Sequence, residues 1–293
     1  MTPPYPLPRR RFKDDIDLSI IGLGVITAIG MKQSDVDRLV ADAVAAGVNY
    51  IDTGPRYGGG EGQEKLGRAL SSHRDTMFVA CKTNLRDASG AREHLETSLR
   101  QLHTDHVDLF QFHCVTTDED VKNILGVGGA AEAFLRARDE GKVRYVGLSA
   151  HSEEAAIAIM DQFPCDSILF PINYVCFTQG NFGPQVIKHA QHKDVARLAL
   201  KAMAYTTWRE DEERTFPKAW YRPINPQQRE LVAKALYFTL SQDITAAIPP
   251  GDEGAFRLAL ELAAEFEPMP VEAQRSLMAS AKDLEPIFST AQA

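Results

Sequence analysis

The chain has 293 residues, 44% hydrophobic and 25% charged, the balance of a globular protein able to bury a large core. Its net charge of −8 argues against a general nucleic-acid binder, which needs a basic face, but leaves room for a local basic pocket. No run approaches the ~20 apolar residues of a membrane span.

The N-terminal MTPPYPLPRRRFKDD has no apolar core behind its basic residues, so it is not read as a secretory signal. Eight short apolar runs follow, beginning near Ser19, Asn49, Met77, Val107, Val143, Ser167, Arg197 and Ile244. Their starts lie 24 to 47 residues apart, room for a strand, a covering helix and two loops. Between them the apolar spacing predicts helices. The first is Asp35–Gly47, with Ser34 as N-cap and Gly47 as stop. Others are expected at Ala91–Leu102, Glu132–Glu140, Glu153–Gln162 and Pro226–Ser241. Cys81, Cys114, Cys165 and Cys176 show no CxxC spacing, which suggests reduced thiols in a cytoplasmic protein and no metal centre.

Strand–helix alternation of this kind predicts an α/β fold, a (β/α)8 TIM barrel forming a single domain over residues 1–293. An open doubly wound sheet is the competing arrangement. The segment before Ser19 is expected to cap the barrel bottom, and Glu272–Phe288 to add a C-terminal helix.

Two glycine-rich stretches invite phosphate-binding readings and fail them. In GLGVIT (Gly22–Thr27) the third glycine position of a dinucleotide fingerprint holds Thr27, and no helix opens directly. YGGGEG (Tyr57–Gly62) lacks the Lys-Ser/Thr of a P-loop. Its glycines are expected to let backbone pass close to a ligand at the barrel mouth.

Four polar residues stand at or just after predicted strand ends: Asp52, Tyr57, Lys82 and His113. Asp52 is either a turn cap or the partner of a buried cation. Lys82, inside the apolar VACKT, is costly without a counter-charge, so the two explain one another. Tyr57 read alone is packing; beside an ammonium its pKa is expected to fall towards that of a working acid. His113 read alone is a hydrogen-bonded structural residue; at the rim where barrels place their chemistry it becomes a functional candidate. Cys114 is expected to be a small buried filler.

The ordered set Gly47–Leu70, VACKT (Val79–Thr83), VDLFQFH (Val107–His113) and GKVRYVGLSAHS (Gly141–Ser152) resembles the aldo-keto reductase superfamily. FPINY (Phe170–Tyr174), LALKAMA (Leu198–Ala204) and ITAAIPPG (Ile244–Gly251) extend the resemblance more loosely. The resemblance implies metal-free hydride transfer between a reduced nicotinamide and a small carbonyl or alcohol substrate. It implies Tyr57 as proton donor, Lys82 paired with Asp52 tuning it, and His113 orienting the carbonyl. The implied cofactor set is Gly24, Ser149, Asn173, Lys201, Gly251 and Arg257.

The cofactor pattern departs from the family at several points. Ala150 replaces the usual Asn, and strand six offers Leu169 or Phe170 where a Gln is common, so His151 or Asn173 is expected to supply the polar contact. Lys201 takes the place of a stacking aromatic; there it is expected to contact either the cofactor or an anionic group. After the last strand, Pro249, Pro250, Gly251, Asp252 and Glu253 replace the cations that hold a 2′-phosphate, and Arg257 is the nearest cation. NADP(H) is the implied cofactor and NAD(H) stays open.

The loop Tyr205–Ile224, holding Trp208 and Trp220, is either a lid or a patch packed on the rim, and REDEER (Arg209–Arg214) reads as a solvated face. Two alternatives to the reductase remain: a dinucleotide-binding regulatory protein on the same barrel, and an aldolase using Lys82 as amine nucleophile. Neither nucleic acid nor membrane is an expected partner, and substrate identity and oligomeric state are open.

Overall fold

The computed structural model describes residues 6–290. The polar-looking start of the chain alternates, and that alternation makes a hairpin. Strands β1 (Arg9–Lys13) and β2 (Ile16–Ser19) pair antiparallel. Phe12 and Leu18 turn inward from it. The Phe12 ring lies 4.9 Å from Phe78 and 5.3 Å from Tyr145, plugging the barrel bottom as the expected cap.

The barrel strands are β3 (Leu23–Gly24), β4 (Tyr50–Asp52), β5 (Phe78–Thr83), β6 (Val107–Val115), β7 (Val143–Ala150), β8 (Ser167–Pro171) and β9 (Ala196–Leu200). A second hairpin, β10 (Ala204–Thr207) with β11 (Tyr221–Pro223), leaves the barrel before β12 (Ala246–Ile248) completes it. The eight parallel strands run in the order β3 to β9 and then β12. Closure is short: Ile21 bridges Ala247, with Gly22 N donating to Ala247 O at 3.0 Å and Ala247 N to Ile20 O at 2.9 Å. Tyr50, Leu109, Leu198 and Ala246 fill the interior, while the larger core lies between strands and helices.

The helices are α1 (Gln33–Ala45), α2 (Glu61–Leu70), α3 (Ala88–Leu102), α4 (Asp118–Leu125), α5 (Ala130–Asp139) and α6 (Glu153–Gln162). They continue with α7 (Tyr174–Gln179), α8 (Pro184–His192), α9 (Arg229–Leu240), α10 (Glu253–Ala264) and α11 (Val271–Ser280). No helix among the described residues is long and apolar enough to cross a membrane.

Helix starts follow short polar side chains: Asp87 accepts from Gly90 N at 2.8 Å, Ser152 from Ala155 N at 3.2 Å, and Asp252 from Ala255 N at 2.9 Å. Ser34 does not cap α1. The helix starts one residue before it, and Lys32 holds the N-cap backbone conformation without a side-chain bond. The C-terminal helix is also shorter than Glu272–Phe288. It stops at Ser280, and the chain beyond runs back over the barrel, where Phe288 stacks 5.2 Å from Phe182 and 4.9 Å from His151.

Candidate active site

Parallel strands of one barrel deliver their C-terminal ends to one mouth, which brings Asp52, Lys82, His113 and Ser149 together from β4, β5, β6 and β7. Asp52 and Lys82 are 5% and 4% exposed, too buried for either charge to stand alone. Lys82 Nζ donates to both Asp52 oxygens, at 2.7 Å for Oδ2. Burial lowers the lysine pKa, but attraction to Asp52 and Tyr57 outweighs it and holds the ammonium above its usual range. Burial pushes the Asp52 carboxyl up against the opposing pull of Lys82.

Tyr57 lies just past β4, and the three glycines after it take left-handed φ values of 60°, 64° and 97°. A Cβ on Gly60 would come within 2.3 Å of Gln101 Nε2. The glycines make the tight turn into α2, and Tyr57 lines the mouth cavity. Its Oη is 3.1 Å from His113 Nε2, and Lys82 Nζ is 5.7 Å from its ring centre. Burial raises the Tyr57 pKa more than Lys82 lowers it, so the phenol stays protonated above its ordinary value, opposite to the expected fall.

His113 stands at a break in β6. Register slips between Phe112 and Val115, and Cys114 adopts φ 57°. Arg86 clamps this bulge, donating to His113 O at 2.9 Å and Cys114 O at 3.0 Å while its Nε donates to Asp120 Oδ1 at 2.8 Å. Burial first, then Lys82, drive the His113 pKa down to about 2, so the imidazole is neutral. Arg86 was invisible in the sequence, where it is one more basic residue after a strand. We expect Arg86→Met to displace His113 and to lower any catalysis at this mouth by about 10²-fold. Unchanged turnover in the folded variant would show the clamp to be only structural.

A cavity of about 290 Å³ opens in front of these residues. Cys114 and His151 line it 3.2 Å apart (Sγ to Nδ1), so the thiol is a half-exposed wall group and not a buried filler. Burial, then Lys201 and Lys82, lower the His151 pKa to about 3. Ser149, buried, also reaches the wall. Lys201 sits at φ 69°, its Nζ 4.8 Å from the Tyr221 ring centre and 5.3 Å from that of Trp220.

Residues Lys218 to Tyr221 roof the cavity. Trp208 Nε1 donates to Ala219 O at 2.9 Å, and Lys218 Nζ reaches across to Thr27 O at 3.0 Å. The long loop is thus both packed on the rim and a cover. Most of its REDEER run is solvent-exposed, with Glu212 paired to Arg222 at 3.2 Å.

The remaining cofactor candidates divide. Gly251 lines the cavity, and a Cβ there would come within 2.3 Å of Ile26. Gly24 ends β3, where a Cβ would stand 3.0 Å from Ile248. Asn173 does not line this cavity: its Oδ1 accepts from Cys176 N at 2.9 Å to cap α7, and its Nδ2 faces Cys176 Sγ at 3.3 Å. Arg257 is held by Asp42 at 2.9 Å and Glu253 at 3.0 Å.

A model of the aldo/keto reductase family matches residues 20–265, and the chain belongs to that family. Aldo-keto reductase YhdN of Bacillus subtilis is 29% identical over 220 residues, covering 69% of this chain and 64% of that protein. Uncharacterized oxidoreductase YqkF of the same organism is 29% identical over 154 residues, 48% of each. The chain thus spans about half to two thirds of the length of these relatives. Among solved structures, aldo-keto reductase AKR11C1 from Bacillus halodurans in its holo form is similar with a TM-score of 0.75 at 19% identity, covering 97% of this chain and 99% of that one. Glycerol dehydrogenase AKR11B4 from Gluconobacter oxydans gives 0.66 at 22% identity, covering 94% and 95%. At these identities the likeness is one of fold.

Proposed function

We propose that this protein is a nicotinamide-dinucleotide-dependent reductase of small carbonyl compounds. The observation that carries the reading is the Tyr57–His113 hydrogen bond of 3.1 Å set in front of the buried Lys82–Asp52 ion pair. The cavity beside it can take an anionic cofactor at its Lys218 and Gly251 end, and no Asp or Glu lines it. The bound dinucleotide would supply the hydride. Tyr57, protonated through neutral pH, donates its proton to the carbonyl oxygen as that oxygen gains charge. Lys82 then stabilises the phenolate left behind. Neutral His113 holds the carbonyl oxygen in line with the Tyr57 hydroxyl.

NADP(H) is the cofactor that the family resemblance favours. The locked Arg257 and the acidic start of α10 argue that a 2′-phosphate adds little here and that NAD(H) binds comparably. Asp42→Asn, which loosens Arg257, is expected to tighten NADPH several-fold and leave NADH unaffected. Equal effects on both cofactors, read by fluorescence titration, would remove Arg257 from the 2′-phosphate site.

The same locked Arg257 also favours a second reading, a regulatory barrel that binds dinucleotide without efficient turnover. Assaying a panel of aldehydes, ketones and quinones with both cofactors separates the two. Turnover that disappears in Tyr57→Phe supports the reductase; binding of cofactor with no turnover of any carbonyl supports the regulatory barrel.

A further inference from the structure

The cavity is electropositive inside a chain of net charge −8. Its three lysines are not equivalent. Lys82 is neutralised by Asp52. Lys218 bonds to Thr27 O and feels Asp252, Glu61 and Glu253, which places it towards the Gly251 end of the cavity. Lys201 has no carboxylate within salt-bridge reach among the described residues, and only the Tyr221 and Trp220 ring faces meet its ammonium. It lines the cavity together with Tyr57, Lys82, His113, Cys114 and His151.

A half-buried ammonium without a counter-ion is costly, and two aromatic faces return only part of that cost. Burial, reinforced by Lys82, accordingly lowers the Lys201 pKa to about 8, which still leaves it mostly cationic at neutral pH. An anion seated there would complete the site. The anion would share the cavity with the reacting carbonyl, because Tyr57 and His113 line the same cavity as Lys201.

We propose that Lys201 is the specificity-determining residue for substrates that carry a carboxylate next to the reacting carbonyl, so that 2-oxo acids are the preferred substrate class. The assignment rests on the reductase reading and moves Lys201 from the cofactor to the substrate. In the reduction the carbonyl carbon takes the hydride and its oxygen takes the Tyr57 proton. The carboxylate remains unchanged against Lys201, the product is a 2-hydroxy acid, and the dinucleotide is left oxidised. Trp220 and Tyr221 then act as a desolvating roof that strengthens the ion pair.

The test compares pyruvate with methyl pyruvate as substrates, and oxamate with oxamide as unreactive ligands read by tryptophan fluorescence, in wild type, Lys201→Met and Lys201→Arg. The wild type is expected to prefer each carboxylate by about 10²-fold, the usual effect of a desolvated charge pair. That preference should collapse in Lys201→Met and return in part in Lys201→Arg. The proposal is overturned if acid and ester, or oxamate and oxamide, are handled alike by the wild type. It is overturned equally if the preference survives in folded Lys201→Met. Loss of NADH and NADPH affinity in Lys201→Met without loss of oxamate binding would return the ammonium to the cofactor and also overturn it. The ligand arm needs no turnover. Lys201-dependent oxamate binding with no reduction of any carbonyl would sink the reductase reading and leave the carboxylate site standing.

Discussion

Replacing Tyr57 with Phe is expected to lower carbonyl reduction by about 10²–10⁴-fold, the range for loss of a positioned general acid. Dinucleotide affinity should change little, because the phenylalanine ring keeps the packing and only the hydroxyl facing His113 is lost. The pH profile of the wild type carries the same prediction with a sign. Burial raises the Tyr57 pKa above its ordinary value and Lys82 only partly offsets it. Reduction needs the protonated phenol, so the chemical step should stay level through neutral pH and fall only above the ordinary tyrosine range. His113, with its pKa near 2, is already neutral and contributes no acid limb in the working range. A chemical step that instead rises with pH from 6 to 9, by about tenfold, would mean that a deprotonated group does the work.

The second large effect is on stability. Asp52→Asn leaves Lys82 buried without its counter-charge, and Lys82→Met leaves a buried carboxylate without its cation. Each is expected to destabilise the fold by about 3–5 kcal/mol. The double variant Asp52→Leu/Lys82→Met fills the site with apolar groups of similar volume and should recover most of that loss. Turnover should stay lost in the double variant, because nothing then stabilises the Tyr57 phenolate. Urea denaturation of the three variants checks the stability part. Additive losses in the double variant would show that the two charges do not depend on one another. Recovered stability together with recovered turnover would show the pair to be structural alone.

The barrel was legible because each of its strands is a short apolar run, and the interval between runs has room for one helix. The Asp52–Lys82 pairing was legible from cost, since neither charge could occupy an apolar strand alone. What stayed hidden depends on contacts distant in the chain. The cap before Ser19 is expected from sequence, but its form as a hairpin that turns Phe12 and Leu18 inward is not. Asn173 is offered by the family resemblance as a polar cofactor contact, but the short helix α7 begins at the next residue and takes both ends of its amide. The bulge that aims His113 is made by a left-handed Cys114 and a clamp from Arg86, and neither leaves a pattern in composition or spacing. The Tyr57 shift runs opposite to the expectation because a neighbouring ammonium can be inferred from sequence, while the depth of burial that outweighs it cannot.

The most direct test of the central claim is a fluorescence titration of the purified protein with NADPH and with NADH, following the two tryptophans, of which Trp220 roofs the cavity. Saturable quenching by at least one cofactor is expected, with the same affinity in Tyr57→Phe within a few-fold. No saturable change with either cofactor would contradict a dinucleotide seated above Tyr57, and with it the proposed reductase.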